Sequence, residues 1–531
     1  MSEDRRVYLF DTTLRDGAQT QGVDFSVADK QAIARALDRL GIDYVEGGWP
    51  GANPTDDAFF RDAPKFSHAT FTAFGMTRRS GRSASNDPGL TALLSSGAKA
   101  ICLVGKSWDF QVDVALGIPR TENIDMIGSS IGHLVSEGRE ALFDAEHFFD
   151  GYKANPVYAM DCLKAAAEGG ARWLVLCDTN GGALPDEIER IVGKVTEVIP
   201  GSRIAIHCHD DTGNAVANSL AAVRAGARQV QGTMNGLGER CGNANLTAIL
   251  PTLVLKMGFK TGADADRMTL LTQTARLVDE RLNRSPDRHA AYVGESAFAH
   301  KGGLHVAAIE KDPSTYEHVP PESVGNARRI LVSDQAGRAN ILSRLKALGI
   351  EPPSDPARIA ALVELVKQRE FEGYAYDGAD ASFALLAQRA FGVASHLFRV
   401  LSFRVIDERR WEGAGDPHTV SEATIRVEVG GDHVMTVAEG NGPVNALDSA
   451  MRKALSPSYP VLEDIKLVDY KVRILTPNAG TRAVTRVIID SVDSSGNRWS
   501  TVGVSANVID ASFMALHDAL SYRLTRDLVA V

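Results

Sequence analysis

Two kinds of hydrophobic pattern alternate over residues 1–260. Short runs rich in β-branched and aromatic residues recur at 7–11 (VYLFD), 43–47 (DYVEG), 69–74 (ATFTAF), 99–104 (KAICLV), 140–143 (EALF), 172–177 (RWLVLC), 203–208 (RIAIHC) and 228–233 (RQVQGT). Each reads as a strand. Between them apolar residues return at helical spacing. Ser26 and Asp29 have capping-box spacing ahead of Ile33, Leu37 and Leu40, with Gly41 placed to stop the helix. Ile188, Ile191, Val192, Val195 and Ile199 make one apolar stripe after Pro185 and Asp186, and Val216, Leu220 and Val223 make another. Eight strands alternating with helices predict an α/β fold, a TIM (β/α)8 barrel. The competing arrangement is an open doubly wound sheet. That fold wants a Gly-rich fingerprint after its first strand, which residues 11–19 (DTTLRDGAQ) do not provide.

Beyond the barrel the pattern changes twice. Residues 262–390 read as mostly helical, with Pro- and Asp-rich breaks at 285–287 and 351–356. From residue 391 strands return. Residues 423–429 alternate strictly, with Ala423, Ile425, Val427 and Val429 on one face, and 470–474 (YKVRI) do the same. Helical periods follow at 443–455 and 508–524. With an offset of 65 residues, Thr436, Val437, Ala446, Ala450, Ala454 and Leu455 fall on Thr501, Val502, Ala511, Ala515, Ala519 and Leu520. This predicts a C-terminal α+β domain built from a repeated βββα unit. The expected domains are therefore 1–275 (barrel), 276–390 (helical linker) and 391–531.

The chain has 531 residues, 44% hydrophobic and 23% charged, as a soluble multidomain protein would. A net charge of −10 argues against nucleic acid or an anionic membrane as the main partner. No apolar run approaches the roughly 20 residues that cross a bilayer, and the opening MSEDRRVYLFD has no apolar secretory region. The five cysteines are odd in number and scattered, which suits reduced thiols in a cytoplasm. Cys177, Cys208 and Cys241, nearest the expected barrel mouth, read as small buried strand residues.

In such barrels functional side chains sit at the C-terminal ends of the strands. His207 and His209 are two apart on the seventh strand, so both imidazoles point to one side. Asp16 lies near the top of the first strand, which closure brings close to the seventh. Together they make a facial set for a divalent metal cation with positions open to substrate. Oxygen and imidazole ligands admit Mg, Mn, Zn or Co. Arg15 offers a fixed cation for an oxyanion, and Glu46 is placed to orient it through an ion pair. Thr179 offers a hydroxyl either to a substrate carboxylate or to cap the next helix. Gly236, Gly238 and Gly242 let backbone approach a ligand. His300 and His305 flank a Lys-Gly-Gly turn beyond the barrel. Spacing alone leaves open whether they are surface residues or whether one of them is a general base.

The segments DTTLRDGAQ, VEGGWPGANPTD, CDTNGG, HCHDDTGNAVANS, NGLGERCGNANL and FAHKGGLHV resemble the DRE-TIM metallolyase superfamily. Within it the chain is similar to the branch of isopropylmalate, homocitrate and citramalate synthases, over essentially its whole length. GGWPGANPTD, FDAEHFFDGYK and WSTVGVSANVIDASF look most like the subgroup that forms (R)-citramalate. The resemblance implies an acyltransferase that condenses acetyl-CoA with pyruvate and water, serving isoleucine biosynthesis. The alternative product is 2-isopropylmalate from 2-oxoisovalerate. Asp16, His207 and His209 match the family's metal ligands and Asn243 a fourth. Arg15 would polarise the ketone, Glu46 would hold Arg15, and Thr179 would bind the oxo-acid carboxylate. Glu146 and His305 match positions assigned to deprotonating the acetyl methyl, with Tyr316 from the same region as His305. The tail would form a homodimer and bind isoleucine as feedback effector. One stretch, Asp144–Phe149 (DAEHFF), departs from the small hydroxyl-rich segment of isopropylmalate synthases and leaves selection of substrate size open there. Two further readings are a thioester-cleaving lyase, against which the long tail argues, and a non-catalytic amino-acid sensor, against which the intact Arg15, Asp16, His207 and His209 argue.

Overall fold

In a computed structural model of the chain, described over residues 5–330, 337–393, 397–410 and 418–529, eight parallel strands close into a barrel in chain order. The first four residues of the amino-terminal segment lie outside the described residues, as do 394–396 and 411–417 of the region assigned to the third domain. The strands are β1 (Tyr8–Asp11), β2 (Tyr44–Glu46), β3 (Thr70–Met76), β4 (Ala100–Lys106), β5 (Glu140–Glu146), β6 (Trp173–Asp178), β7 (Ile204–Cys208) and β8 (Gln229–Gly232). Strand β1 closes the ring by pairing with both neighbours, Phe10 opposite Tyr44 and Leu9 opposite Val230.

Alternation along the strands builds two cores from one sheet. Phe10, Tyr44, Phe74, Cys102, Leu142 and Trp173 pack on one another inside the barrel. Their neighbours Leu9, Val45, Ile101, Phe143, Leu174 and Ile206 face outward and pack with Ile33, Leu37, Ile188 and Ile191 of the surrounding helices. Each such side chain, once fully buried, contributes about 1.5–3 kcal/mol. The helix Val27–Leu40 begins with the expected capping box between Ser26 and Asp29 and ends at Gly41, whose φ of 90° lets the chain turn out of the helix.

The structure departs from the sequence reading in three places. Strand β5 does not stop at residue 143 but runs on to Glu146. Asp144 stays in the barrel because Cys102 Sγ and Gln231 Nε2 both donate to its carboxylate, so a buried acid continues the strand. Thr179 caps no helix, since the next one begins at Pro185. Cys177 and Cys208 are buried in strands, but Cys241 is exposed on the loop after β8.

The chain divides into two contact units, Met1–Phe298 with Glu317–Arg328, and Ala299–Tyr316 with Arg329–Val531. The second unit contains helices Arg338–Ala347, Pro356–Phe371 and Asp380–Ala390, packed around Leu362, Val366 and Phe383. It also holds two three-stranded antiparallel sheets. The first (Phe398–Arg410, His418–Val429, Asp432–Gly440) is followed by helix Pro443–Leu455. The second (Lys466–Ile474, Thr485–Val492, Arg498–Ser505) is followed by helix Val508–Val529. Thr436 Oγ1 donates to the Ala450 carbonyl, and Thr501 Oγ1 to the Ala515 carbonyl. The 65-residue repeat is thus kept down to a single sheet-to-helix hydrogen bond. Among the described residues no helix is long and apolar enough to cross a membrane.

Candidate active site

The barrel mouth gathers Asp16, His207 and His209, whose ligand atoms all lie within 4.8 Å of one another. Asp16 follows β1 and is held by its backbone N–H, which donates to Thr12 Oγ1. His207 Nδ1 lies 2.9 Å from Gln231 Oε1, and the two are register partners on β7 and β8. An amide oxygen only accepts, so Nδ1 carries a hydrogen, and Nε2 lies on the other side of the ring, 3.4 Å from Asp16 Oδ2. His209 Nε2 is 3.9 Å from the same oxygen. Asn243 is buried and its backbone forms a bridge with that of His209. Its Nδ2 donates to the Leu237 carbonyl. A Cβ at Gly238 would come within 2.1 Å of that Nδ2, so the glycine lets the loop close over it.

Asp16 Oδ1, His209 Nδ1 and Asn243 Oδ1 are buried and without a protein partner. Buried polar atoms of that kind call for a ligand. Two imidazoles and a carboxylate within 4.8 Å of one another suit a divalent cation, and Asn243, bridged to His209 through the backbone, carries a further unpartnered oxygen. The electrostatics favour the ligand-ready forms of Asp16 and His209. Burial alone would raise the Asp16 carboxyl, but Arg15 and then His207 hold it well below the usual range. Burial, with His207 beside it, lowers His209 to about 4, so it is neutral near pH 7. His207 goes the other way: burial opposes its charge, yet the hydrogen bond to Asp16 raises it.

Arg15 stands beside this cluster. Its Nε donates to Glu46 Oε2 at 2.7 Å, its Nη1 is 3.4 Å from Asp16 Oδ2, and its guanidinium lies 3.9 Å from the centre of the Phe74 ring. Glu46 Oε2 also accepts from Thr12 Oγ1. Burial opposes the guanidinium charge, but Glu46 and Asp16 more than restore it. The result is a fixed cation beside the Asp16, His207 and His209 cluster.

A cavity of about 280 Å³ opens over these groups and takes in Arg15, Asp16, Glu146, Thr179, His207 and His209 among its walls. The Thr179 hydroxyl accepts the His147 N–H at 2.8 Å, which leaves its own hydrogen for a ligand. His147, at φ 57°, turns the chain directly after Glu146. Among the lining or supporting residues not singled out from sequence are Lys106, Gln231 and Met76. Carrying the alternation Cys102–Val104 two residues further reaches Lys106. Gln231 stands on the predicted eighth strand, opposite a histidine already chosen. The second unit holds His305 and Tyr316, both exposed, with ring centroids 4.2 Å apart.

Residues 6–278 match the HMGL-like family model, 292–371 the homocitrate synthase post-HMGL domain-like model, and 377–524 the LeuA allosteric (dimerisation) domain. The chain is 49% identical over 524 residues to the (R)-citramalate synthase of Aquifex aeolicus, covering 98% of both chains. It is 51% identical over 520 residues to that of Geobacter sulfurreducens, covering 98% of this chain and 97% of the relative. A probable 2-isopropylmalate synthase of Methanopyrus kandleri is more distant, 31% identical over 510 residues, with 96% of this chain and 97% of the relative covered.

Proposed function

Because the chain belongs to the (R)-citramalate synthase family, built on an HMGL-like barrel, we propose that it condenses the acetyl group of acetyl-CoA with pyruvate and water to give (R)-citramalate and CoA. The observation that carries this is the likeness of about half of all residues, end to end, to two (R)-citramalate synthases.

Asp16, His207, His209 and Asn243 would hold the divalent cation. When bound, it supplies Lewis acidity to the carboxylate and ketone oxygens of a 2-oxo acid. Thr179 donates to the pyruvate carboxylate. Glu146 takes a proton from the acetyl methyl: the C–H bond breaks, an O–H bond forms, and the electron pair passes onto the thioester as an enolate. The methyl is a weak carbon acid, so the base has to be held close and aligned. The enolate carbon attacks C2 of pyruvate, and Arg15 meets the negative charge that develops on the ketone oxygen. Glu46 keeps Arg15 in place. Water then cleaves the thioester and releases CoA. His305 and Tyr316 retain the proton-transfer and substrate-binding roles that the family resemblance implies.

The residues matched by the LeuA-type domain support a regulatory and dimerising role for the tail. We assign it isoleucine as effector and the molecule a homodimeric state in the cytoplasm, within isoleucine biosynthesis. The functional partition is 1–275, 276–390 and 391–531. The test is CoA release with pyruvate, 2-oxobutyrate, 2-oxoisovalerate and 2-oxoglutarate. Pyruvate is expected to give the highest kcat/KM. A preference for 2-oxoisovalerate would make the protein a 2-isopropylmalate synthase instead.

A further inference from the structure

Lys106 ends β4 and Glu146 ends β5, and the register makes them direct partners. Both continue the inward lines of their strands, Lys106 after Cys102 and Val104, Glu146 after Asp144. Their side chains form an ion pair and are only 18% and 24% exposed. Ser107 fastens the two strand ends together, donating to the Glu146 carbonyl through its N–H at 3.2 Å and its hydroxyl at 2.7 Å. The pair also stands where two cavities meet. Lys106 and Glu146 line the cavity over the metal ligands. They also line a second one of about 270 Å³, whose walls include the apolar side chains Leu93, Leu116, Ile118 and Met126.

Other charged side chains line the two cavities with Glu146: in the second, Arg78, which pairs with Asp125, and Arg79 and Asp87. Arg15 is held by Glu46 and Asp16, and Asp144 by Cys102 and Gln231. His147, next in sequence, faces Asp150 at 3.6 Å. Strand β6 offers Cys177 and Thr179 to the same cavity, neither of them a cation, and Glu239 adds a further carboxylate. Lys106 is the cation that Glu146 pairs with, in a cavity that also holds Asp16, Asp144 and Glu239.

We propose that Lys106 is a positioning residue for Glu146, holding its carboxylate at the neck between the two cavities, where the acetyl methyl meets its base. This rests on the base role given to Glu146 above. A carboxylate on a free rotor would sample several directions. An ion pair to the facing strand fixes it, and the positive charge offsets the field of the nearby acids.

The test uses the full-length, metal-loaded enzyme and the variants Lys106→Met, Lys106→Arg, Glu146→Gln and the double variant Lys106→Met/Glu146→Gln. Two rates are read across pH: CoA release, and loss of deuterium from the methyl of trideuterated acetyl-CoA. The expected result is that Lys106→Met lowers both rates by about 10- to 100-fold and moves the acidic limb of the kcat profile upward by about one pH unit. KM for pyruvate stays within about twofold. Lys106→Arg keeps the limb in place, and the double variant is no slower than Glu146→Gln alone. An unmoved limb together with a large rise in KM for either substrate would overturn the proposal, because Lys106 would then be contacting substrate directly. Additive losses in the double variant would overturn it too. If Glu146→Gln alone keeps the parent rates, the base assignment itself fails, an outcome distinct from the other two.

Discussion

Gln231 decides which nitrogen of His207 faces Asp16. Its Oε1 accepts from Nδ1, and its Nε2 donates to Asp144, so it is pinned from both ends inside the barrel. Replacing it with leucine keeps the volume and removes the acceptor. Gln231→Leu is expected to weaken divalent-metal affinity by about 10- to 100-fold without changing the fold, as read by metal titration alongside circular dichroism. Unchanged affinity would show that the ring is oriented by packing alone. This partner was hard to see in the sequence, because a glutamine in a run of strand residues carries no signature of its own. His207 and His209 were legible, because a two-residue spacing fixes their common side regardless of what surrounds them.

At the scale of elements, the approach of the chain to β3 is set by one buried carboxylate. Asp38, in the last turn of the helix Val27–Leu40, accepts the backbone N–H groups of Ser67, His68 and Ala69 at 2.7–2.9 Å and the Ser67 hydroxyl at 2.7 Å. It thereby aims the chain into β3. Burial alone would push its carboxyl up, but the N–H groups of Ala69 and Ser67 outweigh this and hold it below its ordinary value. A depressed carboxyl stabilises the fold above its unfolded pKa and loses that contribution as pH falls through the folded one. Asp38→Ala is therefore expected to cost about 2–3 kcal/mol near neutral pH, and the gap in melting temperature between parent and variant should narrow as the solution is acidified. A gap independent of pH would mean that the charge does no such organising. The element most misread was β5. Its pattern EALF ends where acids begin, and an acidic residue usually marks a strand's exit. Here Asp144 finds donors within the barrel, a tertiary effect that no local window contains. Cys241 was misplaced for the converse reason, since the glycines around it lead the loop back out to solvent while Asn243 turns in.

Across the whole molecule, the barrel and the duplicated tail were both readable, because each rests on a repeated pattern, eightfold in one and twofold in the other. The equivalent hydrogen bonds of Thr436 and Thr501 show why the repeat survives in sequence: each threonine ties a sheet to its helix. What no pattern could supply was the second cavity and the ion pair at its neck, which exist only once β3, β4 and β5 stand side by side. For the tail, the expectation is that isoleucine lowers turnover of the full chain, and that a chain ended after residue 390 sediments as a monomer and no longer responds to isoleucine. A truncated dimer that is still inhibited would place both functions elsewhere.

The account as a whole depends on one cation held by Asp16, His207 and His209 at the barrel mouth. Metal content per chain, measured together with pyruvate-dependent CoA release in the parent, Asp16→Ala and His207→Ala proteins, tests it most directly. The prediction is about one divalent ion per chain and full turnover in the parent, with both falling by at least about 10³-fold in turnover and to background in metal in either variant, while circular dichroism stays the same. A variant that kept its metal or its turnover would contradict the account.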